Sequence, residues 1–467
     1  MRYARRFASI LFAVALPLAV HAQQEARQTR AFPSDDEVRS IIKQRIADKR
    51  SAGIVVGLLD ADGHTRIVAE GDPGPGQPPL DGNSVFEIGS ISKVFTSTIL
   101  AELVQQGNVR LDDPAQRYLP ADVKLPTRNG KAITLGNLAE QNSGLPRMPD
   151  NFHPANPANP YADYTVQQMY DFLSRYTLTR DPGALFEYSN LGVGLLGHVL
   201  SRATGMSYED LERTRVWEPL GMTHTAITLT PWMRQHLALG HDAQGEVTSN
   251  WDLPTLAGAG AIRSTTIDML KFLDANLHPE RGPIQAAMKF AQMERAPAGG
   301  MMIGLNWLSL HTKGDTIVWH NGGTGGYRTF IGFEPSRKTG VVVLTNSGGE
   351  GADDIGMHLL NPELPLAPKP VPPKQRTAID VSPAVLAHYV GAYPLAPNFV
   401  LDVTLDGGAL YVQATNQPKF RLWPETPKDF FLKEVDAQIT FVADSGRMAT
   451  ALILHQNGVD QRGTRRP

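Results

Sequence analysis

Six prolines fall between Pro362 and Pro373, in the run NPELPLAPKPVPPKQ. Proline has no N–H and a fixed φ, so neither a helix nor an interior strand can pass through such a run. It reads as a stiff, extended spacer. The chain of 467 residues is long enough for two or three domains. The spacer divides it into residues 34–360, a linker at 361–377, and residues 378–467.

Before the spacer, two kinds of periodicity alternate. Ser34-Asp35-Asp36-Glu37 is a capping start, and the charged residues and Ile/Val that follow to Asp48 recur at helical spacing. AGIVVGLLDADGHTRIVAEG reads as a hairpin turning at Asp60-Ala61-Asp62-Gly63. SKVFTSTILAELVQQGN is a strong helix, apolar at steps of three and four and ended by Gly107-Asn108. Helices and Pro-rich loops fill the middle. TIVWHNGG, YRTFIGFEP and TGVVVLTNS then read as three successive strands. Strands, a helical middle and strands again predict an α/β (α+β) domain: an antiparallel sheet with helices on its faces. After the spacer, FVLDVTLDGGALYVQA, KFRLWPE, DFFLKE, QITFVAD and MATALILHQNG alternate at period two around Asp-Gly and Ser-Gly turns. That half predicts a small all-β barrel or sandwich.

Composition narrows the function classes. A hydrophobic fraction of 42% supports a sizeable core, and a net charge of −3 supplies no basic field for nucleic acid. The absence of cysteine excludes disulfides, thiolate chemistry, cysteine zinc sites and an N-terminal lipidated cysteine. Residues 1–22 carry Arg2, Arg5 and Arg6, a short apolar run from Phe7 to Val20 and small residues at Val20 and Ala22. They read as a secretory signal cleaved after about Ala22, not as a membrane anchor. No later segment is apolar for long enough to span a bilayer. The expected location is the periplasm.

Three short motifs carry chemistry. In FEIGSISKVFTSTIL, Ser90 and Lys93 stand three apart at the head of the strong helix. Positions i and i+3 share a helix face, so the amine can reach the hydroxyl. A serine hydroxyl needs a base to become a nucleophile, and lysine is a base only when burial or nearby positive charge lowers its pKa. An isolated Ser-x-x-Lys is common by chance and reads first as a capping serine and a surface lysine. Tyr188-Ser189-Asn190 follows a Pro-Gly loop and precedes a Gly-rich apolar helix. A tyrosine there can relay a proton to a leaving group, and the Asn190 amide can hold the lysine and a substrate carbonyl; alone, the tripeptide is a turn with a packed tyrosine. Gly192-x-Gly194-x-x-Gly197 matches a dinucleotide fingerprint, but no βαβ unit precedes it, so its glycines read as close helix packing.

The order and rough spacing of FEIGSISK, YSN and HNGGTGG resemble the serine β-lactamase and penicillin-binding superfamily, in its class C branch. That branch includes DD-carboxypeptidases, D-aminopeptidases and some esterases. LDDPAQRYLP, WEPLGMTHT and AGAGAIRSTTIDMLKFL are further matches, and LAEQNSGLP is a departure where many relatives have a His-Thr-Ser-Gly run. The resemblance covers about residues 35 to 350. Residues 378–467 are similar to a small β-domain some relatives carry, here expected to be a structural cover or lid rather than a binder of cell-wall glycan or protein.

The resemblance implies the β-lactamase/transpeptidase-like fold, with an all-helical subdomain beside the sheet, and acyl transfer. Ser90 would be the nucleophile, with Lys93 and Tyr188 sharing the proton work. Asn190, His320, Asn321, Gly322 and Gly323 would line the substrate, with the N–H groups of Ser90 and Gly323 holding the oxyanion. No metal or cofactor is expected, and the partner is a small-molecule or peptide substrate. The third motif of the family lies on an edge strand facing the nucleophile. His320-Asn321-Gly322 takes that place; the literal Lys338-Thr339-Gly340 sits one strand later between turn residues and reads as a solvated hairpin tip. A histidine at that place is partly protonated near neutral pH, so it would bind a substrate carboxylate more weakly than lysine and in a pH-dependent way. The implied activity is β-lactam hydrolysis of the class C type. A D-Ala-D-Ala carboxypeptidase, D-aminopeptidase or esterase remains open, as does a penicillin receptor that acylates without turnover.

Overall fold

The computed structural model describes residues 32–369, 376–396, 399–415, 417, 419–433, 435–444, 446–456 and 459–466. The segment read as a secretory signal and residues 370–375 of the linker lie outside them. Contacts divide the chain into two units, with the boundary between Ala367 and Pro368.

The β-branched hairpin, Gly53–Leu59 with Thr65–Gly71, forms one edge of an eight-stranded sheet. From that edge the order continues through Thr339–Thr345, Arg328–Glu334, Asp315–Gly323 and Leu308–Thr312 to Met301–Ile303 and Ala296–Ala298. Every pairing is antiparallel. Strand Thr339–Thr345 is buried along its whole length because helices cover both faces of the sheet. Val341 and Val343 pack on one side with Val38, Ile42, Ile355 and Leu359 from helices Asp35–Ala47 and Asp353–Leu360. Val342 and Leu344 point the other way, into a larger core with Leu270 and Leu273 of helix Thr266–Leu277. The two-residue side-chain period of a strand makes this division.

Beyond the larger core lies the helical region. Helices Ser92–Gln105, Val166–Arg175 and Asn190–Thr204 bury Val94, Phe95, Ile99, Phe172, Leu195 and Val199 together. Ser34 closes a capping box with Glu37, so the first helix begins where its sequence signal stands. The glycines of the G-x-G-x-x-G match do lie on a helix; a Cβ on Gly194 would sit 2.5 Å from Leu256 and one on Gly197 3.0 Å from Gly258.

The second unit is an eight-stranded antiparallel sheet in simple sequential order, from Gly391–Ala396 to Val459–Thr464. Its ends approach one another: Arg466 N–H donates to Ala392 O at 2.8 Å, so the sheet curls into a nearly closed barrel. Tyr393, Leu401, Val403, Leu422, Ile439, Phe441 and Leu452 fill it. Among the described residues, no helix is long and apolar enough to cross a membrane.

The Lys-Thr-Gly tripeptide divides between surface and core. Lys338 is exposed on the hairpin tip at φ +54°, whereas a Cβ on Gly340 would lie 2.1 Å from Leu273 Cδ2. Gly340→Ala is therefore expected to lower stability by about 1–3 kcal/mol through overpacking. Lys338→Ala is expected to leave stability within about 0.5 kcal/mol. Urea denaturation midpoints of the two variants check this.

Candidate active site

Ser90 stands in a short 3-10 turn, Gly89–Ile91, directly before helix Ser92–Gln105. Two glycines let the sheet come up against this turn. Gly89 has φ +52°, a region that strains residues with a Cβ, and a Cβ there would lie 2.6 Å from Gly323 N. Across the gap, a Cβ on Gly322 would meet Ile88 O at 2.0 Å. Thr329 Oγ1 donates to that same carbonyl at 2.9 Å and holds the contact closed.

Glu87 anchors the turn from behind. It is 2% exposed, and its Oε1 accepts from Trp251 N–H at 2.8 Å, Asn250 Nδ2 at 3.0 Å and Arg263 Nη2 at 3.3 Å. These bonds fix the loop that puts Trp251 into the cleft.

Lys93 is fully buried, and its Nζ lies 2.9 Å from Ser90 Oγ. It also donates to Ala259 O at 2.7 Å. Burial first, and the Arg147 guanidinium second, hold its pKa well below the ordinary 10.5. The amine is thus disposed to be neutral and to accept the serine proton. The Tyr188 ring covers it, with Nζ 4.8 Å from the ring centroid. Burial pushes the Tyr188 phenol up to about 12, against the pull of Ser90 and Arg147. The phenol is therefore a neutral hydroxyl that can give a proton rather than a standing phenolate.

Asn190, Asn321, Gly322 and Gly323 line a cleft of about 530 Å³ with Ser90 and Tyr188. The Asn190 amide is turned to Tyr161 OH, at 3.4 Å, and the carbonyl that holds Lys93 is that of Ala259. Asn321 Nδ2 donates to Asp353 Oδ2 at 2.6 Å. His320–Gly323 belong to an interior strand, not to an outer edge of the sheet. Its neighbour Leu308–Thr312 pairs only with Asp315–Trp319, so the last four residues have one open side. The edge is local, made by a partner strand that stops short.

His320 departs from its expected ionisation. It is 2% exposed, its ring centroid is 6.4 Å from that of Tyr188, and Nδ1 lies 2.6 Å from Asn321 O. A carbonyl only accepts, so Nδ1 carries the proton of a neutral ring. Burial, before all else, lowers its pKa from 6.5 to about 3. The ring is neutral at physiological pH, and the expected partial charge on it is corrected.

The cations of the cleft are two arginines that the motifs did not single out, Arg147 and Arg328. Arg147 is exposed beside Tyr188, its Cζ 5.1 Å from the ring centroid. Arg328 opens the strand after the Gly-rich bend and is steadied by Thr324 O at 2.6 Å and Tyr327 O at 2.9 Å. Nothing in their local sequence marks a cleft. Among the described residues, no cluster of acidic and histidine side chains could hold a metal ion.

The His320 environment predicts a pH effect on stability. Its folded pKa lies below its unfolded one, so between about 6.5 and 3 the unfolded chain binds the proton that the folded chain refuses. This group's contribution is full above about pH 6.5 and is lost as pH falls towards 3. His320→Gln is expected to flatten that part of the acid limb of a melting-temperature profile; a limb parallel to the parent's contradicts the assignment.

Comparison with known proteins agrees with this geometry. The β-lactamase family model matches residues 38–362, and the model for a domain of unknown function, DUF3471, matches residues 375–465. The D-alanyl-D-alanine-carboxypeptidase/endopeptidase AmpH of Escherichia coli (strain K12) is 31% identical over 370 residues, covering 74% of this chain and 92% of AmpH. Penicillin-binding protein 4* of Bacillus subtilis (strain 168) is 28% identical over 415 residues, covering 83% and 89%. The crystal structure of a β-lactamase/D-alanine carboxypeptidase from Yersinia pestis superposes with a TM-score of 0.61 at 27% identity, covering 70% of this chain and 98% of that one. A serine turn, a buried lysine and a glycine-lined strand end, inside a match that spans more than half of the sequence, place the chain in the β-lactamase family of serine hydrolases.

Proposed function

We propose that the protein hydrolyses β-lactam amides through an acyl-enzyme on Ser90. The observation that carries this reading is the desolvated Lys93 amine 2.9 Å from the Ser90 hydroxyl. Ser90 Oγ attacks the carbonyl carbon while its proton passes to Lys93 Nζ. The backbone N–H groups of Ser90 and Gly323 hold the oxyanion; losing one such donor typically costs about 10²–10³ in rate. Tyr188 gives its proton to the leaving nitrogen as the C–N bond breaks, and the Lys93 ammonium restores it. Water then attacks the ester, and Ser90 leaves with a proton.

Arg147 and Arg328 take the carboxylate beside the scissile amide. Guanidinium stays ionised at any working pH, so this binding does not titrate with the buried imidazole. His320 supports the strand end through its Nδ1–H to the Asn321 carbonyl. A second reading, cleavage of acyl-D-alanyl-D-alanine peptides, is favoured by the 31% identity to a D-alanyl-D-alanine carboxypeptidase and needs the same groups. The basic and apolar N-terminal segment supports export to the periplasm, where either substrate would be met.

Turnover of a chromogenic cephalosporin and of a D-Ala-D-Ala peptide separates the two readings. Release of one equivalent of product without turnover would instead indicate a receptor. Ser90→Ala is expected to abolish covalent labelling by a fluorescent penicillin; retained labelling removes Ser90 as nucleophile. Arg328→Gln is expected to raise KM about tenfold for a carboxylate-bearing substrate, the loss of one charge-assisted bond, and to leave KM for an uncharged p-nitrophenyl ester unchanged.

A further inference from the structure

A buried chain of side-chain amides ties the serine helix to the tyrosine loop. Ser97 follows Lys93 by one turn on helix Ser92–Gln105. Its Oγ accepts from Asn306 Nδ2 at 2.8 Å, and Asn306 Oδ1 accepts from Gln141 Nε2 at 2.8 Å. Gln141 Oε1 then accepts from Ser189 N–H at 2.7 Å, while the Gln141 main-chain carbonyl accepts from Glu187 N–H, also at 2.7 Å. One residue therefore grips the loop on both sides of Tyr188. Ser97, Gln141, Ser189 and Asn306 are each at most 2% exposed, so water does not substitute for these bonds. Gln141 and Asn306 hold φ of +56° and +58°, a conformation glutamine rarely adopts. The backbone is bent to bring both amides into line.

We infer that Gln141 is a positioning residue for catalysis, setting where the Tyr188 hydroxyl stands relative to Ser90 and Lys93. The inference rests on the acyl-enzyme reading above. The side chain must offer one donor and one acceptor at once, to Asn306 and to Ser189. Neutral histidine can do the same; imidazolium, with two donors, cannot. Leucine offers neither. A shift of about 1 Å at such a site can cost about 10² in rate.

The test combines acylation by a fluorescent penicillin with NMR of ¹³Cζ-tyrosine protein, the Tyr188 signal being assigned by its loss in Tyr188→Phe. In Gln141→Leu the Tyr188 signal is expected to move and acylation to fall about 100-fold, with the far-ultraviolet circular dichroism unchanged. Gln141→His, whose ring burial keeps neutral, still offers one donor and one acceptor and is expected to lose less acylation than Gln141→Leu. An unmoved Tyr188 signal with parental acylation in Gln141→Leu overturns the proposal. If Gln141→Leu does not fold, Gln141→Met, of similar length and without donor or acceptor, decides: an unmoved Tyr188 signal with parental acylation overturns it. If the parent takes no penicillin at Ser90, the functional reading fails, and the Tyr188 signal in the variants still decides the role of Gln141.

Discussion

An amine with no water around it organises this molecule. Lys93 is fully buried at the base of the cleft, where a charged ammonium would lose its hydration for one carbonyl, that of Ala259. Desolvation moves the balance towards the free base, and a free base beside a hydroxyl is what a serine nucleophile requires. The surroundings serve this condition. The Tyr188 ring closes over the amine, the Arg147 charge adds to the pressure against protonation, and the neutral His320 ring stands nearby without competing for protons.

Keeping that pocket dry demands close approach of backbones from distant parts of the chain. The turn at Gly89 and the strand end at Gly322 meet where side chains would collide, and Thr329 fastens the sheet to Ile88 O. Glu87 gathers Asn250, Trp251 and Arg263 on its buried carboxylate. The strand carrying His320 is open on one side only because its neighbour ends at Leu308, leaving backbone groups free to face a substrate. The shape of the sheet is thus part of the site.

The distribution of charge follows from the same economy. The imidazole at the strand end is too deeply buried to ionise, so positive charge reaches the cleft from guanidinium groups at its rim. Arginine keeps its charge where a buried histidine or lysine loses it. The barrel formed by the second unit has its own aromatic and aliphatic core and a sequential strand order, with each strand paired to its neighbour in the chain.

Local signals were enough to read the capped first helix, the hairpin, the serine helix, the period-two strands and the order of the three motifs, because each depends on contacts within a few residues. The same holds for Lys338, whose flanking turn residues placed it on a hairpin tip. The ionisation of His320, the local edge at Gly322, the partners of Asn190 and Lys93, and the cleft positions of Arg147 and Arg328 were not legible. Burial and partner distance are set by segments well separated in the chain: Asn190 meets Tyr161, Lys93 meets Ala259, and Gln141 meets Asn306. The sequence by itself determined which groups are chemically able to act. Only the tertiary structure decided which of them are dry, neutral and in reach, because desolvation and geometry belong to the packed chain and not to any stretch of it.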